Sequence, residues 1–205
     1  MVPDGRDRLR IFRHLAFTMS DRLDIPQAVA ILRRGGVIAY PTEGVWGLGC
    51  DPFNATAVRR VLAIKQREEW KGLIVIASDL SHIAALVDLD ALPPERLRTV
   101  RASWPGPNTW LLPCPADVPV WLRGMHSTLA LRVSAHPPVV GLCHAYGGPL
   151  VSTSANLAGE PPVTTAEHLD PRVLAQIDGV LEGQTGGLTT PTPIRDAASG
   201  VAIRS

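Results

Sequence analysis

The chain has 205 residues, 45% apolar and 19% charged, with a net charge of +1. That length supports one sizeable core, the apolar and charged fractions exclude a disordered chain, and no apolar run is long enough to cross a bilayer. The near-neutral balance argues against broad electrostatic binding to nucleic acid. Of the 20 basic residues only Lys65 and Lys71 are lysines. This fits a coding bias toward arginine, in which a surviving lysine either marks a need for an ammonium or is chance.

Residues 1–18 carry Arg6, Arg8, Arg10 and Arg13 with short apolar breaks and no continuous apolar region, a poor secretory signal. They read as an unstructured extension, with Met19 as the expected initiator of a domain over 19–205. The spacing predicts a helix over 24–34, capped by Asp24, with Pro26 in its first turn, and stopped by Gly35-Gly36. A buried strand follows at 37–40, then a glycine-rich loop over 41–49. Asn54 or Thr56 starts a second helix that buries Val58, Val61, Leu62 and Ile64 and runs out near Lys65-Gln66-Arg67. Residues 73–77 form the next strand, 80–87 a short helix, and Pro93-Pro94 opens a helix ending before Trp104. Strands are expected at 109–112 and 129–133, a helix at 138–146, and a strand at 150–155. Thr164 and Glu167 give a capping-box pattern, Val180-Leu181 a last core strand, and a Gly/Thr/Pro-rich tail follows. Helices and continuously apolar strands alternate, so the fold class is α/β, a sheet covered by helices.

Cys50, Cys114 and Cys143 are far apart and lack CxxC spacing. They read as small core residues in a reducing compartment, with neither a disulfide framework nor a zinc site. Phosphate-loop, dinucleotide, serine-elbow and HExxH signatures are missing, and the six histidines are scattered. The basic excess from Arg59 to Lys71 reads, on charge alone, more readily as a solvated face than as an anion site.

Three polar constellations remain. Pro41-Thr42-Glu43 sits at the carboxyl end of a buried strand, where open α/β sheets bind ligands, although a simple turn is the plainer reading. Lys65-x-Arg67 offers a point charge and a planar fork suited to polyphosphate oxygens. Positions i and i+2 share no helix face, so the two converge only if the helix ends there. Ser152-Thr153-Ser154-Ala155-Asn156 aims Ser152, Ser154 and, if the strand persists, Asn156 to one side, at a cost if they are buried without partners. Arg132 interrupts an apolar strand and calls for a negative partner, either a ligand or a structural carboxylate.

Taken in order, these blocks resemble the YrdC/TsaC family of threonylcarbamoyl-AMP synthases in its short bacterial form. The matching segments are 41–51, Lys65-Gln66-Arg67 paired with Ser154-Ala155-Asn156, Trp104-Pro105-Gly106-Pro107, 129–133, 152–156 and Ile194-Arg195-Asp196. The resemblance implies a single twisted mixed α/β domain with a positively charged concave cavity. It implies that L-threonine, bicarbonate and ATP, the last with Mg2+, give threonylcarbamoyl-AMP and pyrophosphate, with no metal held by the protein itself. The product serves a downstream threonylcarbamoyl transferase complex that modifies the adenosine beside the anticodon of tRNAs reading ANN codons. The resemblance also implies a cytoplasmic protein without membrane contact.

By the same resemblance Thr42, Arg132, Ser152 and Thr192 hold threonine, and Lys65, Thr128, Ser154 and Arg204 contact ATP. Arg67 and Asn156 complete the paired signature at the phosphates, with Lys65 and Arg67 in the catalytic role. Asn108, Trp110 and the extra proline in Pro191-Thr192-Pro193 depart from the family pattern. Two alternatives stand beside the synthase: a tRNA- or double-stranded-RNA-binding or ribosome-maturation factor without catalysis, and a carbamoyl-adenylate handler like the YrdC-like domain of hydrogenase maturation proteins.

Overall fold

Asp24 fixes where regular structure begins. Its side chain accepts from Gln27 N at 2.8 Å while Gln27 Oε1 accepts from Asp24 N at 2.9 Å, a reciprocal cap that opens helix α1 (Ile25–Arg33). The computed structural model describes residues 22–204; the expected extension over 1–18 and the Met19 start lie outside the described residues. Gly35, at φ +78°, turns the chain out of α1 and into β1 (Ile38–Pro41).

The segment over 41–49, expected to be a loop, is a hairpin. Its second half is strand β2 (Trp46–Gly49), paired antiparallel with β1 from Ile38↔Gly49 to Pro41↔Trp46. The glycines that suggested a loop are there for close approach: a Cβ on Gly49 would lie 2.4 Å from the Tyr40 ring. Helix α2 (Ala55–Ile64) is capped by Asn54, whose side chain accepts from Ala57 N at 3.1 Å. Strand β3 (Ile74–Ala77) follows. Residues 80–87 form two short 3-10 turns, Leu80–His82 and Ala84–Leu86, instead of one helix.

Next come α3 (Pro94–Ala102), β4 (Thr109–Pro113), the unanticipated short helix α4 (Val120–Arg123), β5 (Thr128–Val133), α5 (Pro137–Tyr146) and β6 (Leu150–Ser154). Gly147, left-handed at φ +86°, ends α5. The capping-box expectation fails at Thr164. The 3-10 turn there, Ala166–His168, has Thr165 as its cap, and that hydroxyl meets His168 Nδ1 at 3.0 Å. Helix α6 (Pro171–Leu174) and strands β7 (Gly179–Val180), β8 (Ile194–Asp196) and β9 (Ala202–Arg204) complete the described chain.

The nine strands form one mixed sheet in the order β7-β1-β2-β6-β3-β5-β4-β8-β9. The tail is therefore not loop alone: β8 runs parallel to β4, and β9 folds back on β8. Alternate residues of each apolar strand serve opposite faces. Ile38, Tyr40, Ile76 and Leu150 pack under α1 and α5. Val37, Ala39, Trp46, Leu48, Val75, Ala77, Leu131 and Val151 join the larger cluster on the other side, with α2 and α3. Among the described residues no helix is long and apolar enough to cross a membrane.

Candidate functional site

The α1–α5 layer covers only part of its face. On the same face as Tyr40, Leu150 and Ile76 lie Thr42 and Ser152, two residues past the first two, and Ile74, two residues before the third. Arg132 of β5 stands opposite Ile76. All four line a cavity of about 340 Å³, within the usual range of ligand sites. Gly47 keeps its floor open, since a Cβ there would sit 3.4 Å from Thr42 Cγ2 and 3.7 Å from Ser152 Oγ.

One wall comes from the end of α2. Helical geometry stops at Ile64, and Gln66 takes φ +45°, the only positive φ outside glycine among the described residues. Arg67 N then returns to Leu62 O at 2.9 Å. This reversal brings Lys65 and Arg67 to one cavity, as the early helix end requires. Lys65 Nζ donates to Ser154 O at 2.7 Å, to Asn156 Oδ1 at 3.1 Å and to the Asn156 backbone carbonyl. The ammonium therefore welds the two halves of the paired signature together as well as lining the cavity. Desolvation first, then repulsion from Arg67, push its pKa down to about 8. Arg67 donates to Gly72 O at 3.0 Å and Lys71 O at 3.2 Å. Strand β6 ends at Ser154, so Asn156 reaches the cavity through the following turn and not as a strand residue. Its amide donates to Leu157 O at 3.0 Å, which leaves Oδ1 for Lys65.

The other end is hydroxyl-rich and buried. Arg132 Nη1 donates to Thr192 Oγ1 at 2.7 Å, and Thr192 Oγ1 lies 3.2 Å from Thr109 Oγ1. Arg132 Nη2 stands 3.6 Å from Glu43 Oε2, so the negative partner that a buried arginine demands is structural. Thr42 Oγ1 donates to Val45 O at 2.8 Å, which leaves it an acceptor toward the cavity. The tail closes this side, with Arg204 Nη2 donating to Thr192 O at 2.8 Å. Arg204 is held below the ordinary arginine range, first by desolvation, then by repulsion from Arg132 and Arg67.

Thr42, Lys65, Arg67, Arg132, Ser152, Ser154, Asn156, Thr192 and Arg204 thus share one cavity, and Lys71 joins them at its edge. Thr128 does not line it. It sits half-buried on Arg132's face of β5, one row beyond the Ile74–Ala130 pair. Lys65, Arg67, Lys71, Arg132 and Arg204 line the cavity without a single carboxylate, so like charges are gathered with nothing in the lining to neutralise them. That arrangement suits a polyanion. Sequence reasoning missed Glu43 as Arg132's partner, along with Ser134 and Thr109 behind them. The signal was the orphan charge of Arg132, but nothing local links it to a carboxylate so far away in sequence. Every buried polar or charged residue among those described belongs to this cluster: Thr42, Glu43, Lys65, Thr109, Arg132, Ser134, Ser152 and Thr192.

The cysteines are free thiols. Cys50 and Cys143 are buried and Cys114 only half-buried, and burial pushes the Cys143 thiol up to about 12.

The family model Sua5_yciO_yrdC, described as "Telomere recombination", matches residues 30–204. The threonylcarbamoyl-AMP synthase of Stenotrophomonas maltophilia (strain K279a) is 60% identical over 183 residues, 89% of this chain and 98% of that protein. The Sua5 of P. abyssi complexed with L-threonine superposes with a TM-score of 0.77 at 29% identity, covering 84% of this chain. This chain spans only 50% of that Sua5. E. coli YciO superposes with a TM-score of 0.77 at 30% identity, covering 88% of each chain. Matched along nearly all its described length, with the paired signature meeting at Lys65, the chain belongs to the Sua5/YciO/YrdC family.

Proposed function

We propose that this chain makes threonylcarbamoyl-AMP from L-threonine, bicarbonate and ATP, with release of pyrophosphate. The observation that carries the reading is the two-ended cavity: a cation cluster free of lining carboxylates beside a buried, hydroxyl-rich end anchored by Arg132. The name of the S. maltophilia relative and the threonine bound to P. abyssi Sua5 support it.

The chemistry requires positioning more than a nucleophile. Threonine's amine attacks bicarbonate carbon, water leaves, and a carbamate results. A carbamate oxygen then attacks the α-phosphorus, and the bond to the β-phosphate oxygen breaks as pyrophosphate departs. The two reactants are both anions, so holding them in line while screening their repulsion is the protein's main contribution. In this reading Arg132 takes the threonine carboxylate, Thr42 accepts from its amine or hydroxyl, and Ser152 and Thr192 complete that end. Lys65, Arg67, Ser154, Asn156 and Arg204 hold the triphosphate. Mg2+ is carried by the ATP oxygens, because the lining offers it no carboxylate. The product passes to a transferase that modifies tRNA.

Mass-spectrometric detection of threonylcarbamoyl-AMP in a mixture of the protein, ATP, threonine and bicarbonate tests this. Pyrophosphate release should stop when either threonine or bicarbonate is omitted. Release indifferent to both would refute the reading.

A further inference from the structure

Among the five cations of the cavity, Arg132 alone is backed by a buried carboxylate. Lys71 pairs with Glu68 at 2.6 Å, but at the surface; Lys65, Arg67 and Arg204 have no ion pair among the described residues. Glu43 itself does not line the cavity. It is 8% exposed and lies behind Arg132. Its Oε1 accepts from Ser134 Oγ at 2.7 Å, whereas Oε2 has no hydrogen-bond partner and stands 3.6 Å from Arg132 Nη2, beyond hydrogen-bond reach. The Nε of Arg132 is also buried without a partner.

The backbone gives Glu43 little room to leave. Its carbonyl accepts from Leu188 N at 3.1 Å, and Thr42 O accepts from Gly186 N at 3.0 Å. The tail is pressed so closely on this turn that a Cβ on Gly44 would lie 2.2 Å from Thr190 O, and one on Gly186 would lie 3.0 Å from Glu43 Cα. The hairpin turn, β5 and the tail therefore meet at one fixed carboxylate.

We propose that Glu43 is a positioning residue that divides the cavity electrostatically. Its charge orients the Arg132 guanidinium toward Thr192 without using the hydrogen bonds a ligand needs. The Arg132 end then accepts a singly charged carboxylate, while the uncompensated Lys65, Arg67 and Arg204 end takes the triphosphate. This inference rests on the proposed function, because it assigns the two ends to threonine and ATP.

Calorimetric titration of the full chain with L-threonine and, separately, ATP tests it. Glu43→Gln keeps an acceptor for Ser134 but removes the charge and sets an amide donor against Arg132. L-threonine affinity should fall at least tenfold, with ATP affinity within threefold of the parent. Glu43→Asp, which keeps the charge one methylene short, should recover part of the loss. Ser134→Ala, which keeps the charge but frees the carboxylate, should weaken threonine severalfold and leave ATP unchanged; it decides the matter if the Gln variant does not fold. Unchanged threonine affinity, equal losses for both ligands, or an Asp variant no better than Gln would overturn the proposal. A parent protein that binds no L-threonine would refute the proposed function and this inference with it. Parent binding with an unaffected Gln variant refutes the inference alone.

Discussion

Replacing Lys65 by alanine separates what this ammonium holds from what it neutralises. Lysine has three N–H donors, and here they reach Ser154 O at 2.7 Å, Asn156 Oδ1 at 3.1 Å and the Asn156 carbonyl. A hydrogen bond to a charged group contributes roughly 1.5–3 kcal/mol. The freed oxygens border an open cavity and regain water, so the expected stability loss is about 2 kcal/mol and not the sum of three bonds. The catalytic loss is distinct: a preorganised group facing developing charge is worth about 3–4 kcal/mol, or roughly 10²–10³ in kcat. Pyrophosphate release at saturating threonine, bicarbonate and ATP reads the second quantity, and urea denaturation reads the first. A variant that loses stability as expected yet turns over within about fivefold of the parent would show that Lys65 only staples Ser154 to Asn156, and would remove it from the phosphate site.

Activity should also report the proton on Lys65. Its pKa is pushed down to about 8, so the ammonium is charged below that pH and lost above it. The kcat/KM for ATP should be level below about pH 8 and fall by about tenfold per unit above it, a limb missing from Lys65→Ala; a level profile through pH 9.5 would refute a required ammonium with a lowered pKa at this position. Arg132→Ala leaves Glu43 buried without its cation, and loss of one member of a buried pair costs about 3–5 kcal/mol, measurable by urea denaturation; a cost under about 1 kcal/mol would mean the two charges are effectively solvated. Gly49→Ala drives a Cβ to 2.4 Å from Tyr40 Cε1 and 2.7 Å from Val151 O. Overpacking of this kind costs about 1–3 kcal/mol in the same assay, and a neutral result would mean the hairpin shifts freely.

Legibility in the sequence followed the length over which a pattern could accumulate. The helices now at Ile25–Arg33 and Ala55–Ile64 and the strand at Ile74–Ala77 were readable because cap, periodicity and apolar run agree within each segment. Strand β2 was not, because two of its four residues are glycines selected by what crosses them: Tyr40 over Gly49, and the cavity floor at Gly47. Strands β8 and β9 have three residues each; β8 owes its form to hydrogen bonds borrowed from β4, a partner distant in the chain, and β9 only folds back on β8. The site divides the same way. Lys65, Arg67, Ser152 and Ser154 announce themselves by local spacing. Glu43 and Arg132 are linked only through the course of the whole sheet, which brings the turn after β1 against β5 although β2, β6 and β3 stand between the two strands, and no local pattern encodes that approach.

The scarcity of lysine can be resolved by the same geometry. Both lysines line the cavity, which argues against chance placement, but their surroundings differ in kind. Around Lys65 Nζ the oxygens of Ser154 and Asn156 converge on one point. A compact ammonium fills that point, whereas a planar guanidinium spreads its donors over a fork and would have to displace the turn after Ser154. Lys71 Nζ instead pairs with Glu68 at 2.6 Å and lies 5.3 Å from the Trp70 ring centre at the open edge. Carboxylate pairing and ring stacking are interactions arginine makes at least as well. Lys65→Arg should therefore fall close to Lys65→Ala in pyrophosphate release, while Lys71→Arg keeps most of the parent rate. If Lys65→Arg were instead active, convergence of oxygens on a single point would not be what retained the lysine.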